Sequence, residues 1–298
     1  VFSWSLWDVN QNVSRETSMK TIQKKITVKD HLVSGESFEI LWDSEKAYAQ
    51  TKVNPNINLD QYYPPENYAS HVTKRTNPIA FIYSFVKSFM LQYKTRLIKS
   101  NCKGNSLLDI GGGIGSFAAH IKKKGFKVAV VEPNLKAKQF CESKGLSCFS
   151  KMDEIEEHTK FSIVTLWHAL EHIADQEAFF KKLSELLTYN GYVIIAVPSY
   201  SSYDAQYYAE NWAALDVPRH LWHFTPEGLI NKLKAYNFSL VKQSPLWFDA
   251  LYISYLSEKY RGSKMPFIRG ILIGIFSNTV ALFSNNYSSN IFVFKKMS

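Results

Sequence analysis

A chain of 298 residues, 46% of them hydrophobic, holds enough apolar side chains for one large domain or a domain with a cap. Its three cysteines, Cys102, Cys141 and Cys148, have neither a metal-ligand spacing nor the even number of a disulfide framework, so a reducing, cytoplasmic setting is expected. The net charge of +9 is spread rather than patterned, with Lys20, Lys24, Lys25 and Lys29 near the start and Lys122–Lys124 and Lys127 around one helix end. Lysines at a helix C-terminus complement its dipole, and no nucleic-acid motif accompanies them, which argues against a nucleic-acid partner.

The first residues, Val1-Phe2-Ser3-Trp4-Ser5-Leu6-Trp7, are apolar but lack the basic region and length of a signal peptide, and Met19-Lys20 makes a natural start. Residues 1–18 are therefore expected to be an unstructured extension, 19–75 a hairpin and lid region, and 76–298 the main domain. Ser37–Trp42 after Ser34-Gly35 reads as part of a hairpin, and Asn54-Pro55-Asn56 as a turn. The aromatic, proline-broken stretch Tyr62–His71 follows. Ile79, Ile82, Phe85, Val86, Phe89 and Met90 lie on one face of a helix over 78–99.

From there strand and helix patterns alternate. Strands are expected at 107–110, 127–131, 146–149, 161–167 and 192–197, and helices at 116–124, 134–144 and 175–188. This order implies a parallel sheet covered on both faces. Thr225-Pro226-Glu227 reads as an N-cap, a proline at the first helical position and an early acid, so a helix runs over about 226–236. Residues 238–243 and 291–295 would supply the last two strands. The stretch 266–283 is strongly apolar but interrupted by Arg269 and Asn278, and its unbroken apolar runs fall short of the roughly 20 residues of a spanning helix. Three expectations attach to it: packing between the last strands, a homodimer contact, or peripheral membrane contact aided by Lys259, Arg261, Lys264 and Arg269.

The chemistry concentrates in Leu107-Leu108-Asp109-Ile110-Gly111-Gly112-Gly113-Ile114-Gly115. A buried strand runs into a glycine-rich turn, where backbone can approach a ligand closely, and then into a helix. Glu132 ends the next strand, about 20 residues on, where an acid can hold the two hydroxyls of a ribose. A dinucleotide is one candidate, since Gly113-x-Gly115-x-x-Ala118 satisfies its fingerprint. Asp109 tips the balance: its carboxylate would repel a pyrophosphate and suits a ligand with a cationic amino group.

Asp-x-Gly-x-Gly-x-Gly after an apolar strand resembles the first motif of class I S-adenosylmethionine-dependent methyltransferases. Phe161–Ile173, with Leu170-Glu171-His172, is similar to their fourth strand and following segment. Tyr189–Pro198 resembles their fifth-strand element, and Asp216–Thr225 a segment of bacterial members near the ubiquinone-type and sugar O-methyltransferases. The resemblance covers roughly 105–245.

The resemblance implies a Rossmann-like, doubly wound seven-stranded α/β sheet with its last strand antiparallel, an N-terminal lid and substrate-side insertions. The cofactor-binding core would span about 105–200 and the substrate-side and C-terminal elements 201–298. The implied activity is methylation of a small-molecule acceptor, most simply at oxygen, with S-adenosylmethionine as donor and S-adenosylhomocysteine as product. The cofactor would be held by Asp109, Gly111, Gly112, Gly113, Gly115, Glu132, Met152, Asp153, Trp167 and His168. The alternatives are an NAD-dependent oxidoreductase and a non-catalytic adaptor at a membrane surface.

A hydroxyl acceptor must lose a proton, and histidine titrates near operating pH. His168 at the end of a strand and His220 in a loop are the candidate catalytic bases, while His172 reads as structural. Tyr63, Tyr68, His71, Trp212, Arg219 and His220 are candidate substrate contacts. His168, Glu171, His172 and His220 do not match a zinc spacing, so no metal is expected.

Overall fold

The computed structural model describes residues 22–55, 57–63 and 78–297. The expectations for residues 1–18, Tyr68 and His71 fall outside them.

The chain opens with three antiparallel strands, β1 (Ile22–Lys29), β2 (Ser37–Asp43) and β3 (Tyr48–Lys52). The long helix α1 (Pro78–Asn101) leads into the alternating core. That core runs β4 (Ser106–Ile110), α2 (Ser116–Lys122), β5 (Lys127–Val131), α3 (Leu135–Ser143), β6 (Ser147–Phe149), β7 (Phe161–Trp167), α4 (Gln176–Leu186) and β8 (Leu187–Pro198). After it come α5 (Tyr203–Tyr208), β9 (Trp222–Phe224), α6 (Pro226–Ala235), β10 (Phe238–Pro245), α7 (Trp247–Tyr260), α8 (Pro266–Ser284) and β11 (Ser289–Lys296).

Seven strands form one sheet in the order β10-β11-β8-β7-β4-β5-β6, and β11 runs antiparallel to both of its neighbours. The central strands are buried on both faces, which is why β4 and the second half of β8 read as unbroken apolar runs instead of alternating. Phe179, Phe180 and Leu183 of α4 and Leu229 and Leu233 of α6 cover one face. Leu97 and Ile98 of α1 and Phe117 and Ile121 of α2 cover the other.

Helix starts follow their caps. Asn134, Asp175, Ser202 and Thr225 each accept a backbone N–H of the first turn, and Pro226 follows Thr225 at the first position of α6. The helix expected over 175–188 stops at Leu186, because Leu187 is already extended and paired with Phe161.

The N-terminal strands are not a detached hairpin. β3 pairs with β9, Tyr48 opposite Phe224 and Gln50 opposite Trp222, giving a second, four-stranded sheet. Val28, Ile40 and Tyr62 from this region share a core with Tyr208, Trp212, Leu215 and Val217. The 19-residue helix α8 lies along α7 through Gly270 and Gly274, where an added Cβ would stand 2.5 Å from the Tyr255 Cα and 2.8 Å from the Leu251 Cα. Neither β1, β3, β9 nor α7 is announced by a regular apolar period.

Candidate active site

β4 delivers Asp109 to the carboxyl ends of the parallel strands, the edge where α/β sheets bind ligands. The chain then turns through Gly111–Gly115, and the Gly111 N–H is tied to the Val131 carbonyl at 2.8 Å. Close neighbours require glycine at Gly111, Gly112 and Gly115. A Cβ on Gly112 would lie 2.6 Å from Val130 Cγ1, and one on Gly115, at φ +70°, 2.8 Å from Cys141 Sγ.

Above this turn lies a cavity of about 350 Å³ lined by Asp109, Gly111–Gly113, Ile114, Ser116, Phe117 and Trp167, with Lys87, Met90, Leu91 and Lys94 contributed by α1. The Asp109 side chain is buried, and Oδ1 accepts a hydrogen bond from Thr165 Oγ1 at 2.6 Å. Oδ2 has no partner among the described residues. Burial lifts the Asp109 pKa to about 7, against the lowering effects of Thr165 and the Lys94 charge. Lys94 Nζ sits 4.0 Å above the Trp167 ring, and burial lowers its pKa to about 8 against the pull of Asp249 and Asp109.

The cavity thus pairs an acceptor-rich carboxylate with two ammonium groups, a match for an amino acid zwitterion. Asp109 suits its ammonium, and Lys87 and Lys94 suit its carboxylate. The residues present therefore fit the methionine end of S-adenosylmethionine. An unpaired buried carboxylate is costly, and a cationic ligand would relieve that cost.

Glu132 is buried in turn, accepting the Gly113 N–H at 2.7 Å and the Asn134 N–H at 2.9 Å. Its pKa is raised to about 7 by burial, opposed by those two N–H donors. It stands behind the loop and holds Gly113 in place; it does not line the cavity as described. Met152 belongs to the hydrophobic core, and Asp153 is exposed with its carboxylate 3.5 Å from Lys182 Nζ, so neither reaches the cavity. Trp167 does form its wall and meets Phe117 edge-to-face.

His168 has φ +54°, a left-handed backbone at the end of β7. Its Nδ1 lies 3.4 Å from Glu171 Oε1 and its Nε2 3.0 Å from Asp249 Oδ2. Burial disfavours the imidazolium, but the two carboxylates outweigh it and raise the pKa to about 10. An imidazolium already holding its proton cannot act as a base near neutral pH, which corrects the expectation for His168.

His220 is different. Its Nδ1 stands 2.8 Å from the Ala214 carbonyl and so donates to it, which leaves the lone pair on Nε2. His172 uses Nδ1 in the same way toward the Arg219 carbonyl at 2.9 Å, with Tyr63 Oη at 3.2 Å. Burial lowers the His172 pKa to about 4. The two rings meet edge-to-face at 4.7 Å.

Glu171, His172 and His220 each offer one ligand atom within 4.8 Å of the others. Apart from the His168 ion pair, neither Glu171 oxygen accepts a hydrogen bond among the described residues. The cluster is able to pass a proton or to hold a divalent cation. These residues match no zinc spacing in the sequence, because His220 is far along the chain from Glu171-His172; the fold brings them together.

Two expected substrate contacts are structural instead. Arg219 is buried between Asp30 at 2.8 Å and Asp216 at 2.7 Å, and it also donates to the Tyr62 carbonyl at 2.8 Å. Trp212 is in the second core, with Nε1 donating to Asp204 at 2.8 Å. Tyr63 is the one described member of the aromatic lid stretch that reaches the histidine cluster. Lys94 and Asp249 join the site without a signal in the sequence. Lys94 reads as a solvated helix position, and Asp249 lies on α7, which has no legible period.

A seven-stranded sheet with this strand order, a glycine turn beneath an acid-lined cavity and a second acid at the end of β5 defines the class I S-adenosylmethionine-dependent methyltransferases. The sequence profile of the Methyltransferase domain family matches residues 82–243, and the chain belongs to that family. Among named relatives, the Ubiquinone biosynthesis O-methyltransferase of Rhodopseudomonas palustris (strain HaA2) is 26% identical over 193 residues, 59% of this chain and 75% of the relative. That of Pelagibacter ubique (strain HTCC1062) is 28% identical over 191 residues, 59% of this chain and 78% of the relative. The solved structure of StiE O-MT shares the fold at a TM-score of 0.50 and 14% identity, covering 78% of this chain and 80% of that one. The protein is a methyltransferase that uses S-adenosylmethionine and acts on a small molecule; the oxidoreductase alternative is not favoured.

Proposed function

We propose that the enzyme transfers the methyl group to a hydroxyl oxygen of its acceptor. The observation that carries the cofactor half of this reading is Asp109, a buried carboxylate that lines the cavity and has one oxygen without a partner among the described residues. The relatives named as O-methyltransferases support the choice of oxygen.

In this reading Asp109, Lys87 and Lys94 hold the two charged groups of the methionine end, the glycine turn admits the ligand against backbone, and Glu132 fixes that turn. When bound, S-adenosylmethionine supplies an electrophilic methyl group. The chain's own contribution is to hold the acceptor in line, to exclude water and to receive a proton. His220 Nε2 receives the hydroxyl proton, and Glu171 stabilises the imidazolium that results. Trp167 and His168 carry the chain from the cavity wall to this cluster, and the Glu171–His168–Asp249 ion pairs keep it rigid.

Calorimetric titration with S-adenosylhomocysteine tests the cofactor half. Asp109→Ala should weaken binding at least 30-fold, about 2 kcal/mol, the worth of a charge-assisted hydrogen bond, while NAD gives no heat. A wild-type protein that binds NAD and not S-adenosylhomocysteine would overturn the reading.

A further inference from the structure

Helix α8 is built inside out. The face it turns to the protein is made of small residues: Gly270, Gly274, Ser277 and Ala281 are its buried positions. The face it turns outward carries the large apolar side chains, with Phe267 66%, Leu272 61%, Leu282 69% and Phe283 90% exposed. Ile268, Leu272, Ile275 and Leu282 follow a helical period, so these groups form one stripe and not scattered exceptions. In an ordinary surface helix the stripe of large apolar groups faces the core.

The polar contacts that α8 makes with the rest of the protein lie off the stripe; Thr279, on the stripe, turns its hydroxyl back to the Ile275 carbonyl at 2.9 Å. Ser277 donates to Asp204 at 2.7 Å, Asn278 to the Trp247 carbonyl at 2.9 Å, and Arg269 pairs with the buried Glu258 at 2.9 Å. Arg269 and Asn278, which interrupt the apolar run in the sequence, are thus taken up by the protein's own fold.

α8 is long and apolar enough to cross a bilayer by length and composition. Its anchoring holds it along the protein instead. α7 leaves β10, α8 runs into β11, and those two strands are paired, so both ends of the helical hairpin return to the same sheet edge.

The surrounding charge identifies the partner. From Lys259 to Ser298 the chain contains no Asp or Glu, while Lys259, Arg261 and Lys264 are exposed at the turn where α8 begins. A second copy of the chain is a poorer fit. A 19-residue helix is about 28 Å long and about 10 Å wide, a footprint of roughly 300 Å², against the roughly 800 Å² per partner of a stable protein interface. It would also set two basic rims together.

We infer that the α7–α8 hairpin is a membrane-docking element: α8 lies in the plane of an anionic lipid surface, its apolar stripe among the acyl chains and Lys259, Arg261 and Lys264 at the headgroups. An in-plane helix with a basic rim binds through buried apolar area together with attraction to anionic lipid. α1, which lines the cavity, rests on the base of this hairpin through Phe89 against Phe248 and Tyr93 against Trp247.

Vesicle flotation tests it with the full chain. Vesicles of phosphatidylcholine alone are compared with vesicles containing one third phosphatidylglycerol, and size-exclusion chromatography is run over a range of protein concentrations. Wild type is expected to float with the anionic vesicles and to lose most of that binding in high salt. Phe267→Ser/Leu272→Ser/Phe283→Ser should lower the bound fraction at least tenfold. Lys259→Glu/Arg261→Glu/Lys264→Glu should abolish the preference for anionic lipid. Both variants should keep wild-type binding of S-adenosylhomocysteine, which separates a docking defect from a folding or cofactor defect. Wild type that stays with neither vesicle would overturn the inference. So would a concentration-dependent dimer that the apolar triple variant dissolves in the absence of any vesicle binding, since that would assign the stripe to a second copy.

Discussion

Two histidines in neighbouring motifs have opposite chemistry because of what stands beside them. His168 lies between Asp249 and Glu171 and carries a proton; His220 donates Nδ1–H to the Ala214 carbonyl and keeps its Nε2 lone pair. His220→Asn is therefore expected to lower kcat about 100-fold or more, the usual worth of a general base, measured with any hydroxyl acceptor that the wild type methylates, with unchanged affinity for S-adenosylhomocysteine. A variant with wild-type kcat would remove His220 from the chemistry. His168 makes its own prediction through stability. Its pKa is raised from 6.5 to about 10, so the stabilisation it supplies is whole below about pH 6.5 and is lost as pH rises through 10. The unfolding free energy of wild type in denaturant should fall between about pH 6.5 and 10, and His168→Gln should flatten that part of the profile. Equal slopes for the two proteins would show that the ion pairs contribute nothing.

At the scale of elements, a buried cation reinforces the junction that the β3–β9 pairing and the shared core make between the N-terminal strands and the main domain. Arg219 joins Asp30, at the end of β1, to Asp216 and to the Tyr62 carbonyl. Burial disfavours the Asp30 carboxylate, yet the Arg219 guanidinium and the Ser34 and Leu32 N–H groups keep its pKa down at about 2. Removing one partner of a buried pair leaves the other charge unpaired. Arg219→Ala should cost roughly 3–5 kcal/mol, read as a lower urea midpoint. It should also make the β1–β3 segment susceptible to limited proteolysis before the core. Survival of that segment with an unchanged midpoint would show that the pairing of β3 with β9 suffices. α6 closes the same junction from outside, since Gly228 lies so near the 46–47 turn that an added Cβ would stand 2.1 Å from the Ala47 carbonyl oxygen.

For the whole molecule, the cofactor cavity is a site of stored cost: Asp109 and Glu132 are both buried with raised pKa values, and Lys94 is partly stripped of water beside them. A ligand that satisfies these groups binds only the folded chain. S-adenosylhomocysteine at 100 times its Kd should stabilise the fold by about 2.7 kcal/mol, a shift of about 5 °C in Tm for a chain of this size. The same concentration of NAD should leave Tm where it was. A shift with NAD, or none with S-adenosylhomocysteine, would mean that the charged cavity serves a different ligand.

The amino-acid order alone determined the parallel core, the glycine turn, Asp109 and the succession of β4 to β8, because each is local: apolar period, cap and turn residues are written side by side in the chain. It also marked 266–283 as apolar without saying which face would be covered. Tertiary structure decided the rest. Arg219 and Trp212 read as polar and aromatic groups in a substrate segment, but Asp30 and Asp204, distant in the sequence or hidden in a helix, draw them into the interior. His168 reads as a base until Asp249 arrives from α7 and fixes its proton. Lys94 reads as a surface lysine until α1 folds across the ends of β4 and β7. A side chain's charge state and its accessibility are properties of its neighbours, and for these residues the neighbours come from elements that only the folded sheet brings together.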